Sequence, residues 1–413
     1  MSFLGVTSPV LHLGTIVILS PVVFAYAIAF IDPSHTLKRA SILFLSIASA
    51  AQLQYSLPVF TGNSTYDGVF ISLVWIFHLR AFDLLLWKSA YLPAVTARKM
   101  GQPRSPAAQS GLERVVTAWC LLFNLRNIKT SWTTKGIPAF SRGHPGYVPS
   151  KGEFVKGRAA HVLIVYLALD AIFAFLPAPN PDVDVPEYKQ AVFSRLGDIT
   201  PEEIIARPIS VIIPAFSIYG IFTVAYNIAS VIAVLVGGSE PGNWPPLFGS
   251  FRDSYTLRRF WGITWHQLLR SSLEASTSFI TTRVLCIPHS WKLLSRCVRL
   301  CLAFYITALV HLPGVVIHGE SPFALDLPKF FLMQAVGIMI ESTVIYACAA
   351  ATGRTATDNG TARRTTKVLG YIWVLAWTAW TGPGFLWVVA RSLVPDKDDV
   401  VPWSVVKWLG YGN

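Results

Sequence analysis

The sequence predicts an all-α, polytopic integral membrane protein with about eight transmembrane helices, and three observations carry that prediction. Apolar residues make up 53% of the 413-residue chain and charged residues only 14%, with a mean hydropathy of +0.49. Soluble domains carry roughly 25% charge, so a water-soluble globule of this size lacks the polar groups to cover its surface, and disorder needs the opposite bias. Eight apolar runs approach the ~20 residues that a spanning helix requires. The loops between those runs alternate in the sign of their charge, as a correctly counted set of spans demands.

The runs cover residues 9–31, 41–60, 69–87, 160–176, 208–236, 298–317, 329–350 and 368–390. The first contains Ala25-Tyr26-Ala27, which looks like a signal-peptide cleavage site. No Lys or Arg precedes it, however, and apolar residues continue to Ile31, so an uncleaved span is expected. The fourth run is short. The fifth is long enough to tilt or break, near Pro214 or Gly220.

Loop charge gives the orientation. Residues 88–159 carry twelve Lys/Arg against two Glu, and residues 177–207 carry six acids against three bases. Residues 238–297 return to seven bases against three acids. Residues 318–328 hold only Glu320 and Asp326, and residues 352–367 hold four bases against one acid. The basic loops 88–159 and 238–297 are therefore expected in the cytosol, with both termini lumenal. The net charge of +12 is then a property of cytosolic loops at a bilayer rather than a sign of a nucleic-acid partner. An endoplasmic-reticulum membrane fits this reading, and residues 1–413 read as one membrane domain without internal repeats, which weakens a transporter built from repeated halves. Two sequons, at Asn63 and Asn359, fall on opposite sides, so only Asn63 faces the lumen.

Ionisable residues inside apolar runs are costly and mark candidate sites. His78, Arg80 and Asp83 share the third run, with Arg80 and Asp83 placed to pair across one turn. Asp170 and Glu341 read as structural partners or cavity polar groups. His311 stands in the interior of the sixth run, with Thr307 and Gly314 on its face and His318 further along. Pro313 cannot donate a hydrogen bond, which leaves the Leu309 carbonyl without its helical donor and favours a kink. A buried imidazole kept neutral suits a general base; a structural histidine is the alternative. Before this run, residues 246–267 interleave arginines with aromatics, including Arg252, Arg258, Arg259, Trp261 and Trp265. Such a stretch suits an interfacial anchor or a phosphate-binding surface.

Residues 254–269, with Arg259-Phe260-Trp261-Gly262 followed by Trp265-His266, resemble the signature of wax-synthase-like proteins in the membrane-bound O-acyltransferase superfamily. They are most similar to its fungal branch, whose members often acetylate terpenoid or meroterpenoid alcohols. Residues 122–132 together with Lys135-Gly136-Ile137-Pro138 resemble a second motif of the family, and residues 330–341 a third. The order and spacing fit over roughly residues 70–390. The resemblance implies an intramembrane reaction chamber with His311 in the place of the family's catalytic histidine, and His266 at the second polar position, where many members have Asn. It further implies transfer of an acetyl group from acetyl-CoA to a hydroxyl of a hydrophobic acceptor. His311 would take the alcohol proton, and His266 would orient the thioester or stabilise its oxyanion. Arg252, Arg258, Arg259, Trp261 and Trp265 are candidates for binding the cofactor, the arginines through CoA phosphates or else at the anionic leaflet.

Other readings stay open at this level. A long-chain wax-ester synthase needs the same parts, and a nitrogen acceptor is compatible with the chemistry. The five cysteines form no disulfide framework, and Cys286, His289, Cys297 and Cys301 match no standard zinc spacing, so no metal is expected. An intramembrane terpene cyclase or prenyltransferase usually needs an acidic cluster, and the densest acidic run, Asp396-Lys397-Asp398-Asp399, lies beyond the last span. A non-enzymatic transporter or receptor is the remaining class.

Overall fold

The computed structural model describes residues 18–56, 64–92, 110–176, 180, 182–190, 193–316, 326–352, 364–392 and 401–411. Among these residues there is no strand. The principal helices in chain order are α1 Ser20–Phe30, α2 Thr36–Ser56, α3 Ser64–Phe82, α4 Gly111–Phe123, α5 Lys151–Phe175, α6 Pro201–Leu235, α7 Arg270–Phe279, α8 Lys292–Val316, α9 Asp326–Thr352, α10 Arg364–Thr381 and α11 Pro383–Ser392. The chain divides into two compact units, Met1–Thr134 with Leu268–Ala324 and Lys135–Gln267 with Leu325–Asn413.

Five described helices are long and apolar enough to cross a bilayer: Tyr66–Trp87, α5, α6, α8 and Asp326–Ala351 within α9. α10 and α11 make a sixth as a bent pair, inclined by 47°. These match six of the eight expected runs. For the first run, the described part holds only the eleven-residue apolar α1. The second is α2, which at 21 residues has the length, but Lys38, Arg39 and a scatter of Ser and Gln leave it short of the apolarity of the others. The described residues therefore give five spans, or six with the bent pair, where eight were expected. His318, both sequons and residues 396–399 lie at least partly outside the described residues.

Local chemistry explains the revised boundaries. α5 starts nine residues before the expected run because Ser150 and Glu153 form a capping box at Lys151. The same device, Ser110 with Glu113, starts α4 inside the expected 88–159 loop. α6 begins with Thr200 as cap, Pro201 at its first position and Glu202 and Glu203 in its first turn, where acids suit the helix dipole. It then runs through Pro208 and Pro214 without the expected break. The eighth run breaks instead, at Gly382. Pro383 offers no N–H to continue α10 but suits the first position of α11.

In the first unit α3 packs on α8 with almost no intervening side chain. A Cβ at Gly314 would collide with the Gly68 carbonyl and the Ser72 hydroxyl, and one at Gly68 would press on the Gly314 carbonyl. Close backbone approach through small residues is how helices associate in lipid. Val310 reinforces the contact by packing with Ile76 and Leu269. The helix continues through Pro313 to Val316.

The expected Arg80–Asp83 pair is present at 2.9 Å, with both side chains fully buried. It belongs to a larger network. Lys88 Nζ reaches Asp83 at 2.6 Å, and the Ser271 hydroxyl donates to Asp83 at 2.8 Å. Arg80 also donates to the carbonyls of Leu121 and Asn124 and to Asn127 Oδ1, while Asn127 Nδ2 donates to Ser271. Burial pushes the Lys88 ammonium below the usual lysine range, and Asp83 pulls it back. α3, the turn after α4 and the start of α7 are thus tied by a single carboxylate. His78 is satisfied structurally, with Nδ1 at 2.8 Å from the Val74 carbonyl and Nε2 at 2.9 Å from the Ser46 hydroxyl.

In the second unit Arg158 of α5 donates to Asn227 of α6 at 2.6 Å and to the Trp244 carbonyl at 2.7 Å. Arg207, buried within α6, lies 5.1 Å from the ring centres of both Trp380 and Trp387 and pairs with Glu203. Asp170 accepts from the Val406 N–H, the structural role expected of it.

Two outcomes test this packing. Asp83→Ala strands Arg80 and Lys88, so it should destabilise the first unit by about 3–5 kcal/mol. Gly314→Val should lower the unfolding midpoint in detergent, whereas Gly157→Ala, whose new Cβ meets open space, should leave it unchanged. Equal midpoints for the two glycine variants would contradict the close approach.

Candidate active site

His311 sits on α8, half-buried. Its Nδ1 lies 2.7 Å from the carbonyl oxygen of Thr307, one turn earlier. A carbonyl can only accept, so Nδ1 carries the proton and, in the neutral ring, Nε2 holds the lone pair. The Thr307 hydroxyl donates to the Ala303 carbonyl at 2.8 Å, which keeps it bonded to its own helix. The backbone thus fixes both the tautomer and the direction of the ring.

The second histidine belongs to the other unit. After Ser250 caps a short turn, Ser254 donates to Thr264 at 2.8 Å and Gly249 N–H to the Thr264 carbonyl at 2.8 Å, closing the loop on itself. Residues Leu257–Arg259 form one helical turn that widens into a π turn over Phe260–Thr264. The extra residue per turn ends with the Trp265 N–H on the Phe260 carbonyl, and His266 follows directly. Its imidazole stacks on Phe222, with centroids 5.4 Å apart and planes 19° apart, and meets Phe248 edge-on at 5.7 Å and Trp265 at 5.6 Å. The aromatic rings hold the imidazole in one orientation.

Trp261 and Trp265 lie 5.9 Å apart in the same aromatic cluster. Trp261 Nε1 donates to Gln334 Oε1 at 3.3 Å, and Gln334 Nε2 donates to Thr381 Oγ1 at 2.9 Å. Glu341 accepts from the backbone N–H groups of Leu257 at 2.6 Å and Arg258 at 3.3 Å, a carboxylate at the start of a helical turn. Residues 254–267 and 330–341 are therefore one structural piece of the second unit. Gln267 completes it by donating to the carbonyls of Trp261 and Trp265.

The arginines differ among themselves. Arg252 and Arg258 are exposed, with Arg258 donating to Ser342 at 3.0 Å. Arg259 pairs with Asp253 at 3.2 Å and lies over the Tyr255 ring, so part of its charge is already answered within the fold. Arg142 also pairs with Asp253. The structure thus gathers His266, Trp261, Trp265 and the three arginines in the second unit and carries His311 in the first.

Sequence reasoning passed over Gln334, Gln267, Lys88 and Ser271. The signal available was a polar side chain inside an apolar run for Gln334, which is fully buried; the other three sit in loops or a polar helix, where the sequence pattern offers none. A cavity of about 290 Å³ between α5 and α6 is lined by Ala159, Val162, Leu163, Tyr166, Ile228, Val231 and Ile232 and contains neither histidine. It is an apolar surface groove.

Glu341→Ala should release the Leu257–Arg259 turn and lower the unfolding midpoint in detergent. Glu341→Gln, which keeps one acceptor oxygen, should lower it less.

A profile of the membrane bound O-acyl transferase family matches residues 244–333, the stretch containing Trp261, Trp265, His266 and His311. Acetyltransferase TRI7 of Fusarium sporotrichioides is 32% identical over 299 residues, covering 70% of this chain and 67% of its own length. Acetyltransferase pyr8 of Aspergillus fumigatus is 31% identical over 310 residues, covering 73% and 70%. Acetyltransferase aurG of Calcarisporium arbuscula is 28% identical over 342 residues, covering 78% of each. No solved structure matches the chain. The family match at the motif and these long alignments to acetyltransferases lead to one conclusion: the chain belongs to the membrane-bound O-acyltransferase family and is an integral membrane enzyme that transfers acyl groups.

Proposed function

We propose that this enzyme moves an acetyl group from acetyl-CoA to a hydroxyl of a hydrophobic acceptor, a terpenoid or meroterpenoid alcohol of fungal secondary metabolism. Its relatives' names supply the acetyl group. The acceptor class follows from the resemblance of residues 254–269 to the fungal branch. The observation that carries the chemistry is the Thr307 carbonyl on His311 Nδ1, which reserves Nε2 for a proton.

In this reading the acceptor hydroxyl gives its proton to His311 Nε2 as its oxygen bonds to the thioester carbonyl carbon. The tetrahedral adduct collapses by breaking the C–S bond. The imidazolium returns its proton to the departing sulfur, so ester and CoA thiol leave and the ring is neutral again. No acyl-enzyme forms, and no cysteine is needed. His266, fixed by its aromatic neighbours, orients the thioester or donates to the oxyanion. Trp261 and Trp265 line the approach, while Arg252 and Arg258 offer exposed guanidinium groups to CoA phosphates or to anionic lipid, with Arg259 in a lesser part. Loops 88–159 and 238–297 face the cytosol of an endoplasmic-reticulum membrane, where acetyl-CoA is delivered.

His311→Ala should lower kcat by about 10²–10⁴-fold in microsomes, the usual worth of a general base, with acetyl-CoA affinity nearly unchanged. His266→Asn should keep more activity than His266→Ala, because an amide still donates. Near-normal turnover in His311→Ala would end the assignment. Assay of the parent enzyme with acetyl-CoA and palmitoyl-CoA against a panel of terpenoid alcohols tests the substrates. Preference for palmitoyl-CoA would replace the acetyl reading with a wax-ester synthase.

A further inference from the structure

Lys367 stands in the first turn of α10. Its Nζ lies over the Tyr255 ring, 5.4 Å from the centroid, and the Arg259 guanidinium lies over the same ring at 4.6 Å. Arg259 in turn pairs with Asp253 at 3.2 Å and shares that carboxylate with Arg142. Arg259 thus links two further cations, one through a ring and the other through a carboxylate. Among the described residues these three positive side chains have Asp253 as their one ion-pair partner. The other carboxylate of this region, Glu341, is taken up by the backbone N–H groups of Leu257 and Arg258.

Such a cluster is costly as it stands. A ring face offsets little of the charge of an exposed cation, and like charges gathered on one patch repel. The parts are nonetheless held in place. Gly370, one turn past Lys367, lies so close to the Tyr255 carbonyl that a Cβ there would overlap it. Tyr371 donates to the Arg252 carbonyl at 2.6 Å and meets the Tyr255 ring edge-on at 6.2 Å. Arg259 Nε donates to the Asp253 carbonyl at 3.0 Å. The site is also open. The side chains of Arg142 and Arg259 are 57% and 34% exposed, and Lys367 is partly exposed, so a ligand reaches them from solvent.

We propose that Arg142 and Lys367, joined by Arg259 around Asp253 and Tyr255, bind a phosphate monoester. Positive charge is left over once Asp253 is counted, and a phosphate monoester near neutral pH carries a charge of about −1.5 to −2. Its oxygens suit the forked guanidinium of Arg142 and the point charge of Lys367 alike. Two sources offer that group to an enzyme at a bilayer: the 3′-phosphate of CoA, or the headgroup of phosphatidic acid. The first rests on the acyl-CoA reading above. Both add two residues to which that reading gives no part.

Binding to the full chain in detergent tests this. CoA and 3′-dephospho-CoA are titrated into the parent and into Lys367→Met and Arg142→Gln, and unfolding midpoints are recorded in mixed micelles with phosphatidic acid or phosphatidylcholine. If the 3′-phosphate is the ligand, each variant should weaken CoA about tenfold, the usual worth of a charged hydrogen bond. The same variants should weaken 3′-dephospho-CoA by less than about twofold. If the lipid is the ligand, both CoA forms should bind as before, while the rise in midpoint that phosphatidic acid gives the parent is lost. Lys151→Met removes an exposed charge of the same unit outside the cluster and should change none of these. Equal weakening of both CoA forms, a matching loss in Lys151→Met, or variants that behave as the parent with all three ligands overturn the proposal. Should one variant not fold, the other decides by the same criteria. Acetyl transfer by the parent is assayed alongside, so an inactive parent that still binds CoA through Lys367 fails the acyl-transfer reading and leaves this site standing.

Discussion

The hydrogen bond between His311 Nδ1 and the Thr307 carbonyl is the constraint on which the rest of the account depends. Many catalytic histidines are oriented by a carboxylate on the nitrogen opposite the reacting one. In the role proposed for His311, a backbone carbonyl of the same helix takes that place. The consequence for a membrane interior is direct, because a carboxylate would have to be desolvated and a carbonyl carries no charge to desolvate. The proton position is set by secondary structure alone, and it holds for as long as α8 stays helical and keeps its register.

That requirement explains the investment around α8. Gly314 lies three residues beyond His311, and its close approach to Gly68 fixes the depth and rotation of the helix end. Val310, beside the histidine, is locked among Ile76 and Leu269. Those partners belong to α3 and to the entry of α7, which the Asp83 network ties together through Arg80, Lys88 and Ser271. A buried ionic cluster is an expensive way to gain stability; its worth here is to leave the helices a single arrangement. In the second unit amides, a hydroxyl and one carboxylate serve the same end. Gln334, Gln267 and Thr381 join Trp261 to α9 and α10, and Glu341 holds the turn that leads to His266.

Much of this was legible in the sequence, for physical reasons. Spanning helices must be apolar over a fixed length, so six runs were found, with starts displaced by up to nine residues. Arg80 and Asp83 stand out because an apolar run does not tolerate isolated charge, and their spacing allowed only a pair. The misplaced boundaries have a common cause. Hydropathy marks where a helix enters apolar surroundings, whereas Ser150, Glu153 and Thr200 mark where the chain becomes helical. α2 is less apolar than the others because Lys38, Arg39 and several Ser and Gln residues are spread along it. The role of Gln334 was hidden because a lone amide in a span has no sequence partner, and Trp261 is 73 residues away.

The most direct test of the central claim is the protonation pattern of His311 itself. The protein, labelled with ¹⁵N-histidine and reconstituted in bilayers near neutral pH, is compared by solid-state NMR with its His311→Gln variant to isolate the one ring. The account predicts a neutral imidazole with a protonated Nδ1, correlated to the Thr307 carbonyl, and a bare Nε2. A proton on Nε2 with Nδ1 bare, or a ring protonated at both nitrogens in the resting enzyme, would contradict it.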